Sequence, residues 1–196
     1  LLAASDLGIV VSNVPDYGTN EVSDHALAMM LCLTRKVSMA SEQVKRGEWD
    51  FRLMQPVRRH QVQTIGIIGL GRIGQAMAHK THALGMKVIG YDPYVDPASL
   101  PDYISLVTLE EALRQADVVS VHCPLTETTR HMLDASKLRL MKPTAYLVNT
   151  ARGGIVDEAE LDAMLGEGAL AGAAMDVLAV EPGPIDHPLF KHSNFY

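Results

Sequence analysis

Residues 64–74 read Thr-Ile-Gly-Ile-Ile-Gly-Leu-Gly-Arg-Ile-Gly, and residues 86–92 read Met-Lys-Val-Ile-Gly-Tyr-Asp. This is the order strand, glycine turn, helix and second strand ending in an acid, and it leaves little freedom in how the middle of the chain folds. Gly69 makes the tight turn, Gly71 lets backbone approach a pyrophosphate, and Gly74 lets the new helix pack closely on its strand. The helix start supplies unpaired N–H groups and the positive end of its dipole for phosphates. Asp92 stands 18 residues beyond Gly74, where the second strand should end, so its carboxylate can accept the hydroxyls of an adenosine ribose. Glycines alone can merely turn a chain. With an apolar strand before them and the acid at this distance, they predict a nicotinamide or flavin nucleotide site.

From Thr64 onward, apolar runs alternate with helical patterns, the arrangement of a parallel sheet covered on both faces. The runs predict strands at 64–69, 87–91, 104–107, 117–122, 144–149 and 171–175, with helices between them. Thr108 with Glu111, and Asp157 with Glu160, have the spacing of a capping box, in which side chain and backbone satisfy each other's free groups. The fold class expected is α/β, a Rossmann-type doubly wound parallel sheet.

Ahead of that unit, Gly8 to Asn13 has the composition of a short strand, and Val14 to Gly18 has turn chemistry. A long helix should start at an Asn20 N-cap, reach Lys45 and stop at Gly47. Residues 48–62 have no clear period and read as a surface connection. This divides the chain into 1–62, the edge of a substrate domain with a linking helix in the interdomain or dimer region; 63–180, a nucleotide-binding domain; and 181–196, a return segment. The first residues, Leu1-Leu2-Ala3-Ala4, read as the inside of an element, so the chain is expected to be a piece of a longer protein.

The 196 residues are 47% hydrophobic and 20% charged, an ordinary globular composition, with a net charge of -6 that disfavours nucleic acid as a partner. The sequence has neither a run of apolar residues long enough for a membrane span nor the order of a signal peptide. Cys32 and Cys123 have no paired spacing, which points to a reducing, cytoplasmic setting.

In a doubly wound sheet, ligands bind beyond the carboxyl ends of the strands, so residues following strands are the candidates for chemistry. Arg152, after Val148-Asn149-Thr150-Ala151, offers a rigid fork matched to a carboxylate, and Gly153 and Gly154 are read as keeping its surroundings open. Elsewhere an arginine is more often paired with a surface acid; here its place after a central strand favours an anionic substrate. Glu181, before Pro182, could orient a histidine and raise its pKa, although alone it is only a loop glutamate. Asp176 could receive the carboxamide N–H of a nicotinamide or simply cap local backbone. His122 is placed at the adenine end of the crevice. His79 and His82 share a helix face but lack a third ligand, so no metal site is assigned. His187 and His192 receive no role.

These motifs in this order resemble the D-isomer-specific 2-hydroxyacid dehydrogenases, over nearly the whole chain. Gly69 to Gly74, Tyr91-Asp92-Pro93, Ala116 to Thr129, Leu147 to Gly154 and Met175 to Pro182 carry the resemblance. Asn13-Val14-Pro15, the helix from Asn20, and Tyr91 to Tyr94 are most similar to the branch holding the carboxyl-terminal-binding corepressors and their bacterial dehydrogenase relatives. The resemblance implies an NAD-dependent oxidoreductase that interconverts 2-keto acids and D-2-hydroxy acids, dimeric and cytoplasmic. It implies that Arg152 binds the substrate carboxylate and polarises its carbonyl, that Glu181 supports the catalytic histidine, and that Asp176 faces the nicotinamide. Arg72 and Ile73 would meet the pyrophosphate. His122, Cys123, Pro124, Thr129, Thr150 and Ala151 would line the remaining cofactor surface. Asp92, with no basic residue close behind it, favours NAD over NADP.

One departure qualifies the match. The family's catalytic histidine follows a strand that Asn194-Phe195-Tyr196 resembles, and it lies beyond Tyr196, so these residues are expected to bind cofactor better than they catalyse. Two other readings remain at this point: a corepressor-like module in which NAD(H) binding drives assembly, and a flavin protein sharing only the fold.

Overall fold

The computed structural model describes residues 1–14 and 16–196. Its centre is a six-stranded sheet of β1 (Thr64–Ile68), β2 (Lys87–Tyr91), β3 (Ile104–Leu106), β4 (Val118–Val121), β5 (Tyr146–Asn149) and β6 (Gly172–Met175). The spatial order is β3-β2-β1-β4-β5-β6 with every pair parallel, the doubly wound order that reverses direction beside β1. Register is fixed by Ile65 opposite Val88 on one side and Val118 on the other. Five of the six strands are shorter by a residue or more than the apolar runs predict, because Gly69, Val107, Asp117, His122, Thr144, Ala145 and Ala171 leave the ladder at its ends.

The described residues also form seven helices: α1 (Leu2–Asp6), α2 (Thr19–Arg35), α3 (Val37–Lys45), α4 (Arg72–Ala83), α5 (Leu109–Gln115), α6 (Ala135–Leu138) and α7 (Glu158–Glu167). Alternation along the strands divides the core. Ile65, Ile67, Val88, Val118 and Val148 pack with Ala26 and Met30 of α2 and Met77 of α4. Ile89, Val119, Val121 and Leu147 pack on the other face with Leu113 of α5 and Leu161 of α7. Ile65, Ile67, Val119 and Leu147 are fully buried, and each such side chain contributes about 1.5–3 kcal/mol relative to exposure. Beyond β6 the chain returns: Asn194 accepts from the Ala173 N–H, and the Tyr196 N–H donates to the Ala173 carbonyl, both at 3.0 Å, so the edge of the sheet is paired.

Thr108 and Glu111 form the predicted capping box in full. Asp157 accepts from the Ala159 and Glu160 N–H groups, but the return bond is missing because the Glu160 carboxylate pairs with Arg139.

The N-terminal third departs most from expectation. Residues 8–13 form no strand; Ile9, Val10 and Val11 are exposed, and the Ile9 N–H bonds back to Ala4 on the turn after α1. A β-branched run becomes a strand only where a ladder and a packed face receive it, and among the described residues neither lies beside this one. The predicted turn at 14–18 includes Pro15, which lies outside the described residues. Gly18, in the left-handed region at φ 75°, is the cap of α2 in place of Asn20, whose carbonyl instead receives Lys80. The single helix expected up to Lys45 is two. Lys36 adopts φ 54° and redirects α3 onto a 3-10 turn at Phe51–Met54, with Ala40 and Val44 facing Trp49 and Phe51 across a shared hollow. No glycine or asparagine marks the break, so tertiary packing imposes it. The connection also carries a second short turn, His60–Val62.

Candidate active site

The residues assigned to chemistry stand along the carboxyl edge of the sheet, in strand order. Asp92 follows β2, the glycine loop follows β1, His122 and Cys123 follow β4, Thr150 to Arg152 follow β5, and Asp176 follows β6.

Packing explains the glycines individually. Gly69 has φ 93°, and a Cβ there would lie 2.6 Å from the Cys123 amide nitrogen. A Cβ on Gly74 would stand 1.9 Å from the Gly69 carbonyl oxygen, so α4 can start this close to β1 only without a side chain. Around Gly71, the cap residue of α4, a Cβ would meet nothing within 4 Å. The first N–H groups of α4 therefore open onto free space, where an anion is favoured by unpaired donors and the helix dipole.

That space is a cleft of about 650 Å³ lined by Gly69, Gly71, Asp92, His122, Pro124 and Thr129, among others. It continues past His122, Cys123 and Pro124 into a second hollow of about 410 Å³ bounded by Ile73, Thr150, Ala151 and Arg152. A third, of about 250 Å³, shares Arg152 and brings Glu181 to the same wall. Asp92 accepts the Leu70 N–H through Oδ2 at 2.8 Å and the Tyr94 N–H through Oδ1 at 2.9 Å. It thus fixes the glycine loop while presenting its charge to the first cleft.

Burial makes His122 hard to protonate, bringing its pKa down to about 4, and its Nε2 lies 2.8 Å from the Ser120 hydroxyl. The ring is neutral at pH 7. Burial, reinforced by the nearby Asp92 charge, pushes the Cys123 thiol up to about 11, so it lines the cleft as an apolar thiol without nucleophilic character. Thr129 braces the loop that follows them by donating to the Pro124 carbonyl at 2.6 Å.

Arg152 is exposed; it donates to the Ala151 carbonyl at 2.6 Å, and among the described residues no acid lies within salt-bridge distance of it. The loop carrying it is held by Asn149, fully buried, whose Nδ2 donates to the Arg152 carbonyl and whose Oδ1 accepts the Ala151 N–H, each at 3.0 Å. Glu181 accepts the Leu178 N–H at 3.1 Å. Asp176 lies 3.4 Å from His25 Nε2 of α2.

Several assignments need correction. Gly153 and Gly154 do not leave Arg152 open: both are buried, and a Cβ on Gly153 would sit 1.9 Å from the Leu178 carbonyl carbon. Gly153 is needed so that the segment carrying Leu178 and Ala179 can cross at contact distance. The Arg72 guanidinium turns to Asp16, 3.4 Å away, while its backbone stays at the start of α4 next to Ile73, which is on the wall of the second hollow. His82 stacks on Tyr103 with centroids 4.0 Å apart. Sequence reasoning gave no individual role to Asn149, His25 or the cleft residues Tyr91, Tyr94 and Met132, whereas Thr126 and Thr128 fall within the run Cys123 to Thr129 that the resemblance places on the cofactor surface. Asn149 and Tyr91 had a usable signal, a polar or aromatic residue in the last position of a strand beside a named site residue.

Three features fit a dinucleotide: a cleft of sufficient length, the free helix start at Gly71, and the Thr150 hydroxyl, buried without a hydrogen-bond partner on the wall of the second hollow. Residues 27–196 match the model of the D-isomer specific 2-hydroxyacid dehydrogenase NAD binding domain. The chain belongs to that family.

Within it, this NAD-binding domain is 39% identical over 195 residues to the D-3-phosphoglycerate dehydrogenase of Methanocaldococcus jannaschii, covering 98% of the chain and 37% of that protein. It is 38% identical over 198 residues to the glyoxylate reductase of Thermofilum pendens, covering 97% and 58%. The NAD-dependent formate dehydrogenase of Staphylococcus aureus, solved in complex with NAD, superposes with a TM-score of 0.88 at 34% identity, covering 99% of this chain and 59% of that one. The chain therefore spans about a third to three fifths of its relatives. Among the described residues, no helix is long and apolar enough to cross a membrane.

Proposed function

We propose that the protein to which this chain belongs interconverts a small 2-keto acid and a D-2-hydroxy acid, using NAD held along the cleft from Asp92 to Arg152. The observation that carries this reading is Arg152, a guanidinium without an acidic partner among the described residues, at the end of that cleft and sharing a wall with Glu181.

Bound NAD supplies the hydride chemistry, and the residues here supply position and charge. Gly69, Gly71, Ile73 and Gly74 form the turn and helix start that face the pyrophosphate. Asp92 accepts the ribose hydroxyls with the lone pairs its two backbone donors leave free, and its charge opposes a 2'-phosphate, so NAD is preferred over NADP. His122, Cys123, Pro124, Thr129, Thr150 and Ala151 enclose the cofactor. Asp176 takes the carboxamide N–H. Arg152 grips the substrate carboxylate and polarises the adjacent carbonyl, and the Glu181 carboxylate favours the charged form of an imidazole acid beside it.

We further assign residues 1–62 to the edge of a substrate domain and its linking helix, 63–180 to the NAD-binding domain, and 181–196 to a return segment. The exposed Leu2, Val10, Trp49 and Phe51 support a homodimer that covers them, and two free cysteines agree with a cytoplasmic protein. The test is a panel of 2-keto acids with NADH and the full-length protein. Turnover of at least one to the D-product is expected, and oxidation of NADH with none of them would overturn the reading.

A further inference from the structure

The opposite end of the sheet, where the strands begin, holds a second polar hollow that the cofactor reading does not use. Gln63 before β1, Thr144 and Tyr146 at the start of β5, and two cationic residues, Lys36 and Arg58, line a space of about 240 Å³.

Three of these groups lack what they need. Gln63 is 5% exposed, and its side-chain Oε1 is buried without a hydrogen-bond partner, a cost that a donor in the hollow would remove. Among the described residues, Arg58 reaches an acid only at Asp117 Oδ1, 3.9 Å away. Asp117 is shared with two closer donors, the Thr64 N–H at 2.8 Å and Lys142 Nζ at 3.0 Å. Lys36 sits at the left-handed break between α2 and α3, and its Nζ meets the Gln55 carbonyl at 3.3 Å. Burial lowers its pKa, as expected of a cation short of a counter-charge. Among the described residues, Lys36 has no carboxylate partner and Arg58 has only the distant, shared Asp117, and both line the same hollow as an orphaned amide oxygen, in a chain whose net charge is -6.

We propose that this hollow binds a small hydroxycarboxylate, with its carboxylate oxygens on Lys36 and Arg58 and its hydroxyl donating to Gln63 Oε1. Arginine and lysine select the anion by charge-assisted bonds, and the amide oxygen selects the hydroxyl, since it accepts only. The site is separate from the crevice: β5 begins at the hollow with Tyr146 and ends at the crevice with Asn149.

The test uses tartronate and malonate, which differ by one hydroxyl, titrated by calorimetry into the full-length protein carrying Arg152→Ala, so that the crevice loses its carboxylate anchor. Tartronate should bind about three- to tenfold more tightly than malonate, the range for one hydrogen bond. Arg58→Gln and Lys36→Met, both partly exposed positions, should each weaken both ligands about tenfold or more, as loss of a charge-assisted bond does, while NADH affinity is kept as the measure of folding. Gln63→Leu should abolish the preference for tartronate and leave malonate affinity in place. Unchanged tartronate affinity in Arg58→Gln and Lys36→Met, or no saturable binding of either acid, overturns the proposal. Either result leaves the reading of the crevice untouched, because keto-acid turnover is measured separately with Arg152 present.

Discussion

The Asp92 carboxylate accepts the Leu70 N–H at 2.8 Å, so the acid that ends β2 also fastens the glycine loop that ends β1. In the proposed function, the side chain assigned to select the ribose is therefore also the one that holds the shape of the glycine turn. Asp92→Ala should weaken NAD binding about tenfold or more, through loss of charge-assisted bonds, and bring NAD and NADP affinities together. Fluorescence titration with both reduced cofactors measures this. An intact preference for NAD in the variant contradicts the role.

Gly74 and Gly71 should separate stability from binding. Gly74→Ala places a methyl 1.9 Å from a backbone oxygen that cannot swing away, and it should cost about 3 kcal/mol or more of unfolding free energy in denaturant titration. Gly71 has φ -70° and open space, so Gly71→Ala should leave stability within about 1 kcal/mol while weakening the dinucleotide by crowding its approach.

His122 gives the fold a pH dependence of defined sign. Its folded pKa, about 4, lies below the ordinary 6.5, so the unfolded chain takes up the proton first as pH falls. The contribution is fully present above pH 6.5, declines between 6.5 and 4, and amounts at most to about 3 kcal/mol by linkage. Urea denaturation at pH 7 and pH 5 should show this loss, and His122→Phe should flatten it. A slope unchanged in His122→Phe would assign the effect to other groups.

Much of this was written locally in the chain. The β-branched runs at 65–68 and 118–121 pack on both faces and can hardly be anything but buried strands, and Thr108 with Glu111 states its own helix start. The failures share a physical cause, because they depend on what distant segments do. Val10 and Val11 have strand propensity without a ladder to join. Lys36 breaks a helix whose periodicity continues through it, because the 3-10 turn at Phe51–Met54 gives α3 a surface. At the candidate site, Asp92 and Arg152 were placed on the carboxyl edge by the ends of β2 and β5, which the sequence marks, and Glu181 shares a wall with Arg152. Sequence reasoning misread Gly153, which is required by the Leu178 backbone arriving from 25 residues away.

The central claim is that Arg152 serves a substrate carboxylate in an NAD-dependent dehydrogenase. Steady-state reduction of the best 2-keto acid by NADH, with full-length protein and its Arg152→Lys variant, tests it most directly, since lysine keeps the charge and loses the fork. The account predicts that kcat/KM falls about a hundredfold or more while NADH affinity stays within about twofold, a loss near 3 kcal/mol of transition-state stabilisation. Activity within a few-fold of the unaltered protein would contradict it.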